Sequence, residues 1–514
     1  MSSKVVRVAA ASVLTAAAVL ASAAHAADEK PGSVYVQCDG RPEVQSVGKT
    51  SAQLLGIMLT AGIVGGVVGG PEAPDAGKLL EGEKGAAACE AALGLNKNET
   101  RGAQLKLAKA IHEIEMAQYA AAINDTTTLG AVAPALQNEP TFQHGLALGA
   151  MEIQAAALAR SGKAAEAEAL VLKMANSVPY DLITALQAQT YVGLTPEMTP
   201  AKRAFYDQVS KLYPSTLIRR SVADEWAGDF AASARHVADY MAVIHGYQDD
   251  PDKPASSLLL AHQSVATLLA GDLAASNALA DRARASIDKE LHDGTASRVV
   301  TEAQELIDFQ AVGRQLAEGH AAEARATFAG RSRWFAPSPP AVAEMATKLR
   351  AGASPAQLTG ALAVDPAKVR ADGMAQVLDA VSSIKPIGTS LFRAVRVQNS
   401  DPFGGLDRQV WRTEKSSLLV PRRPNSTYVG EGLMLSVYRD GGAAGQALLL
   451  HAALRAKAQG KAGFVVGPNR PNIRLVVVRY GDPGTPDYPK SATFVAQQVI
   501  DDLSPMLPDP SVKH

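Results

Sequence analysis

The sequence predicts a multidomain α+β protein: a mainly α array of helical hairpins followed by a small α+β C-terminal domain. Three observations carry that prediction. Between about Thr100 and Ala351, short amphipathic segments rich in Ala, Leu and Glu recur between Gly turns. Beyond Pro386, β-branched and aromatic runs replace them. The 514 residues, 47% hydrophobic and 20% charged, suffice for two or three domains and exclude a disordered, collagen-like or coiled-coil chain. Fifty basic residues against 51 acidic ones leave a net charge of −1, and aromatics make up 5%. That balance argues against a nucleic-acid partner, which needs a basic face or stacking surfaces.

The chain opens on a targeting pattern. Lys4 and Arg7 form a positive start, Val8 to Ala24 is apolar, and Ala24-His25-Ala26 fits the small-x-small rule for cleavage before Ala27. Residues 1–26 therefore read as a signal peptide, with a retained membrane anchor as the alternative. The expected location is periplasmic or secreted. No Cys stands at the cleavage point, which argues against a lipid anchor.

Residues 27–99 form the expected N-terminal segment, which holds both cysteines, Cys38 and Cys89. An isolated pair in an oxidising compartment predicts one disulfide, worth about 4 kcal/mol for a loop of this length in the chain-entropy picture. No His sits at ligand spacing from either Cys, so a structural zinc site is not expected. Leu54 to Gly70 is an uncharged run with Gly62, Gly66 and Gly70 four residues apart. It reads either as a buried glycine-rich segment or as one that touches a membrane.

The array is expected over residues 100–335. Its clearest unit runs from Leu158 through Gly162 to Ala167, with Val171 and Pro179 beyond. Further copies occur at Gly228 to Ser233 with Val237, Gly271 to Ser276 with Ala280, and Gly319 to Ala324 with Phe328. A degenerate copy spans Ala117 to Ala122. Gly permits the tight reversal, and small residues let the two helices of a hairpin approach closely. The pattern resembles the tetratricopeptide repeat, which implies stacked helical hairpins and a groove that reads another protein. Turn glycines 66, 43 and 48 residues apart, against about 34 in that family, imply hairpins with insertions. A plain helical bundle with Gly turns is the alternative.

Trp334 to Pro340 is Pro-rich and closes the array. A helical connector over 336–385 follows, with helices expected at 341–349, 355–362 and 366–383. The α+β domain, 386–514, is read as strands at 409–413, 417–420 and 433–438, a helix at 443–459, strands at 463–466 and 473–480, and a helix at 491–503. This order implies a small sheet with helices on one face. The helix-Gly-strand stretch Ala447 to Val466 resembles a unit of uncharacterised bacterial envelope lipoproteins. The domain carries 16 Lys plus Arg against 10 Asp plus Glu, with Arg408, Arg412, Lys415, Arg422 and Arg423 close together. Such a face is either simply solvated or meets an anionic surface.

Motifs for catalysis are absent. His112-Glu113 lacks the second His of a metalloprotease helix, and neither a Gly-x-Ser-x-Gly elbow nor a phosphate loop occurs. Tyr438 to Gly445 has the wrong glycine spacing for a dinucleotide fingerprint and reads as a strand-to-helix turn. Asp249-Asp250-Pro251-Asp252 lacks the ligand spacing of a calcium loop. No catalytic residue, metal or cofactor is expected.

The leading expectation is a non-catalytic scaffold of the bacterial cell envelope that binds another protein or peptide. A membrane-associated factor and an enzyme with an unrecognised C-terminal site are the alternatives. In stacked hairpins the first helix of each pair lines the concave face, so the expected partner-binding residues precede the turn glycines: Met151, Gln154, Arg219, Arg220, His262, Gln263 and Gln315. N-terminal sequencing of the protein recovered from its native host is expected to begin at Ala27; an intact Met1 would refute export by this signal.

Overall fold

Helix α1 (Val34–Asp39) is only one and a half turns long, too short to hold itself together in water. It is tied to α2 (Gly82–Leu95) by the expected Cys38–Cys89 disulfide, whose Cα atoms lie 4.6 Å apart. The computed structural model describes residues 33–41, 78–248, 255–294, 297–385, 391, 418–419, 431–434, 441–467 and 475–506. The expected signal peptide, the Leu54 to Gly70 run, the Asp249-Asp250-Pro251-Asp252 turn and the basic residues Arg408, Arg412, Lys415, Arg422 and Arg423 lie outside those residues. No helix among the described residues is long and apolar enough to cross a membrane.

Two compact units emerge. The first comprises the described residues up to Gln137 together with Leu391. In it α3 (Glu99–Glu115) packs on α1 and α2 around Tyr35, Cys38, Ala88, Cys89, Ala92, Leu105 and Ala108. Arg101 grips the buried Asp39 carboxylate with both terminal guanidinium nitrogens, at 2.9 Å for the Nη2 contact. Nε2 of His112 lies 2.9 Å from the Cys38 carbonyl, and the His112 ring fills the space where a Cβ at Gly85 would sit. Helix α4 (Tyr119–Thr127) follows α3 through Ala117, which takes a left-handed φ of 57°.

The second unit comprises Asn138–Lys385 and the described residues after 396. Past the short α5 (Pro140–Gln143), four hairpins are formed. They are α6 (Leu146–Arg160) with α7 (Ala164–Ser177), α10 (Thr216–Trp226) with α11 (Phe230–Gly246), α12 (Ser257–Leu269) with α13 (Leu273–His292), and α14 (Ser297–Ala317) with α15 (Ala321–Ala329). Between the first two pairs stand α8 (Leu182–Ala188) and α9 (Pro200–Leu212). The expected turn glycines stand at the turns. Gly162, Gly228, Gly271 and Gly319 have φ of 82°, 81°, 96° and 88°. After each, the next residue's amide donates to the carbonyl five positions back at 2.8 to 3.1 Å, the hydrogen bond of a Schellman cap. Asp229 and Asp272 then cap the following helices by accepting from Ala232 and Ala275.

The positions expected to lie where paired helices meet are closed to solvent. Ala167, Ser233, Ser276 and Ala324 are buried, as are Val171, Val237, Ala280 and Phe328 four residues on. A larger side chain at the first set would push the helices apart. Core packing continues through Phe309, Phe328 and Trp334, with ring centroids 5.2 to 6.2 Å apart.

The connector differs from expectation at one point. Helices α16 (Pro339–Arg350) and α17 (Pro366–Ser382) form as expected, but 355–362 is not one helix. It is two single turns, Pro355–Gln357 and Gly360–Ala363. Gly360 takes φ 50° and its backbone is so close to the Ala329 carbonyl that no Cβ fits, which forbids a continuous helix there.

The C-terminal segment forms a sheet of β1 (Leu418–Leu419), β2 (Glu431–Met434), β3 (Gly463–Val466), β4 (Leu475–Gly481) and β5 (Thr493–Val495), in the antiparallel order β1-β2-β4-β3-β5. Helices α18 (Gly441–Ala458) and α19 (Ala496–Leu503) pack on it and on each other. Residues 493–495, expected as the start of the last helix, instead pair with β3, where Phe494 stacks on Phe464 at 5.1 Å. The other face of the sheet is covered too. Val465 packs with Leu217 and Val243 of the hairpins, and the Tyr247 hydroxyl donates to the Val465 carbonyl at 2.7 Å. All four β3 residues are accordingly buried.

Ala117 repeats the hairpin-turn hydrogen bonds without a glycine, since Gln118 donates to the Glu113 carbonyl. An L-residue in that conformation is strained by roughly 1–2 kcal/mol, partly offset by glycine's greater freedom when unfolded. Ala117→Gly should therefore slow amide exchange in α3 and α4 by an amount equivalent to about 0.5–1 kcal/mol, and Gly162→Ala should speed it in α6 and α7. Faster exchange in Ala117→Gly would contradict this account.

Candidate functional site

Helix α10 carries three charged side chains away from solvent: Arg220, Asp224 and Glu225. A charge in that position is tolerated only when paired. Each has a partner on a different element. Arg220 reaches Asp207 of α9 at 2.6 Å, Asp224 meets Nδ1 of His236 in α11 at 2.6 Å, and Glu225 meets Nε2 of His262 in α12 at 2.9 Å. Glu225 also accepts hydrogen bonds from Ser233 of α11 at 2.9 Å and from Ser338, the N-cap of α16. Burial alone would raise the Glu225 carboxyl above its ordinary value. The His262 charge and the three hydrogen bonds outweigh burial and hold it below. Burial likewise disfavours the His262 imidazolium, but Glu225 overrides it and raises His262 above its ordinary 6.5.

The side of α10 facing away from these pairs is apolar. Ile218, Val222 and Trp226, with Tyr206 of α9 and Val377 of α17, line a cavity of about 250 Å³ that Arg219 borders. Helix α17 lies over this trough. Arg370 donates to the Trp226 carbonyl and its guanidinium stands 5.7 Å from the Trp226 ring. Gly373 sits so close to Pro339 and Trp226 that an added Cβ would lie 2.6 Å from Pro339 Cβ. A second cavity of about 350 Å³ opens on the other flank of α17, among Trp334, Phe335, Pro337 and Val342. Gly373 is the one fully buried residue of α17.

Of the residues expected to bind a partner, Arg219 is exposed at the rim of the trough, and Met151 and Gln154 lie half-buried on α6, which α17 also crosses. Arg220 and His262 are engaged in the ion pairs above. Gln263 is half-buried on α12, and Gln315 is half-buried on α14 with its Oε1 unpartnered. The structure thus brings Arg219 and Arg220 to one helix but turns them to different surroundings. Sequence reasoning missed Tyr206, Val222, Trp226 and Val377. The available signal was the four-residue spacing of Val369, Gly373, Val377 and Val381, a stripe that marks one helix face.

Set against known protein families, curated proteins and solved structures, the chain matches none.

The Glu225–His262 pair makes stability pH-dependent in a definite sense. A raised His pKa contributes fully below 6.5 and is lost as pH rises through the folded value; the depressed Glu225 contributes above its ordinary 4.5 and is lost as pH falls. The contribution therefore peaks between those two pH values. His262→Gln should lower stability by about 1.5–3 kcal/mol near pH 5.5, with the deficit shrinking toward pH 8.5. Melts of both proteins across that range check it, and a deficit independent of pH would refute the pairing.

Proposed function

We propose that this protein is an exported, non-catalytic scaffold whose tetratricopeptide-like hairpins bind another protein of the bacterial cell envelope by accepting one of its helices against α10. Export is supported by the N-terminal targeting pattern and by the Cys38–Cys89 disulfide, a bond that persists in oxidising compartments. The repeat-like reading is supported by the four left-handed Gly turns and the buried small residues that follow them.

The observation that carries the binding reading is α17 itself. The array already holds an amphipathic helix of its own chain across first-helix faces, with cavities on either side and little of the helix buried. A groove that accepts one helix through a four-residue apolar stripe has the geometry for a partner helix of similar pattern. Arg219 at the rim adds a charge that discriminates among such helices.

Capture from an envelope extract of the native host tests this. Val222→Asp places a charge on the trough and should abolish capture of the partner, while Val377→Asp loosens α17 and should increase it. Arg219→Ala should weaken capture several-fold with an unchanged melt. Identical capture by all three variants and the parent protein would overturn the reading.

A further inference from the structure

Arg220 leads away from the trough into a third cavity, of about 680 Å³, where α9, α10 and α11 meet the loop before β5. Its walls carry four cationic side chains from four different elements: Lys211, Arg220, Arg235 and Lys490. Two carboxylates, Asp207 and Asp239, and His236 also face it.

The acidic groups and the histidine are already engaged. Asp207 is paired with Nη2 of Arg220 at 2.6 Å, Asp239 accepts from the Ser491 hydroxyl at 2.6 Å, and His236 is paired with Asp224. Of the four cations, Arg220 alone is paired, through Nη2. Nη1 of Arg220 is closed to solvent and has no hydrogen-bond partner, although Arg220 as a whole is only 7% exposed. Lys211, Arg235 and Lys490 form no ion pair among the described residues. Burial, together with the neighbouring Arg220 charge, pushes the Lys211 ammonium below its ordinary value despite the opposing Asp207.

We infer that this cavity is a binding site for a phosphomonoester, held by Arg220, Lys211, Arg235 and Lys490 around the phosphate. Donors converge from four elements, and a phosphate dianion offers three acceptor oxygens to them where a carboxylate offers two. Asp207 holds the planar Arg220 guanidinium at the cavity wall in a fixed orientation that a lysine in its place would not keep. The volume well exceeds that of inorganic phosphate and leaves room for the group that bears it. Soluble sugar phosphates and the phosphatidate headgroup share this chemistry.

The full mature chain is titrated calorimetrically with glucose 6-phosphate and, separately, sedimented with phosphatidylcholine vesicles containing phosphatidate, with phosphatidylglycerol vesicles as the charge control. Binding of the sugar phosphate supports a soluble ligand; binding of phosphatidate vesicles in preference to phosphatidylglycerol supports a lipid one. Arg235→Gln and Lys490→Gln stand at exposed positions and should keep the parent melt while each weakens binding roughly tenfold. Arg220→Lys retains the charge but not the planar guanidinium, and should weaken binding at least as much. Failure to bind either probe, or binding unchanged in both exposed variants, would overturn the inference.

Discussion

The carboxylate of Glu225, closed off from water inside α10, is the constraint around which the second unit is arranged. It is satisfied only because α11, α12 and α16 each bring one group to it: Ser233, His262 and Ser338. Desolvation offsets much of the attraction in such a cluster, so its importance is not a large net stabilisation. Its importance is mutual dependence. If any one of these elements moves away, a buried polar group is left unmet, which is far more unfavourable than the intact cluster is favourable. The hairpins on either side of α10 are thereby held in one relative placement, including the N-cap Ser338 from which α16 starts.

The two surfaces of α10 follow from that anchoring. Successive residues on a helix differ by about 100°, so neighbours such as Arg219 and Arg220 necessarily leave in different directions. With the Glu225 side fixed toward the neighbouring helices, Arg219 falls at the apolar trough and Arg220 beneath the C-terminal sheet's loop. The sheet contributes because its second face is not free: Val465 packs on Leu217 and Val243, which brings the 484–491 loop over α11.

What was legible in the sequence was what backbone geometry demands. A left-handed turn residue is nearly always Gly, and a close helix crossing needs a small side chain, so Gly162, Gly228, Gly271 and Gly319 and the residues five positions on could be placed from sequence. The single cysteine pair was legible for the same reason of limited choice. The charged core was not. Arg220, Asp224, Glu225 and His262 read as a polar helix surface, because a lone sequence does not reveal that four helices bring their partners together. Residues 355–362 have helical composition, and the contact of Gly360 with the Ala329 backbone that interrupts them is tertiary. Thr493 to Val495 read as part of the last helix because three residues are too few for period two and period 3.6 to be told apart.

Helix α17 is the counterpart of α10. Its own start is well made: Asp365 accepts from the Ala367 amide at 2.7 Å and Pro366 occupies the first turn, where its missing N–H is no loss. Its docking, by contrast, rests on Gly373, Val377 and the Arg370 contacts with Trp226. Forming the helix and seating it are thus largely separate events, since local capping serves the first and a narrow apolar stripe serves the second. The Glu225 cluster draws none of its partners from α17: they lie on α11, on α12 and at the N-cap of α16. The unit therefore combines a rigid frame, held by buried charges that cannot be left unpaired, with one lightly held helix in the groove that the frame defines. Low local stability of α17 is what the proposed exchange of one helix for another requires.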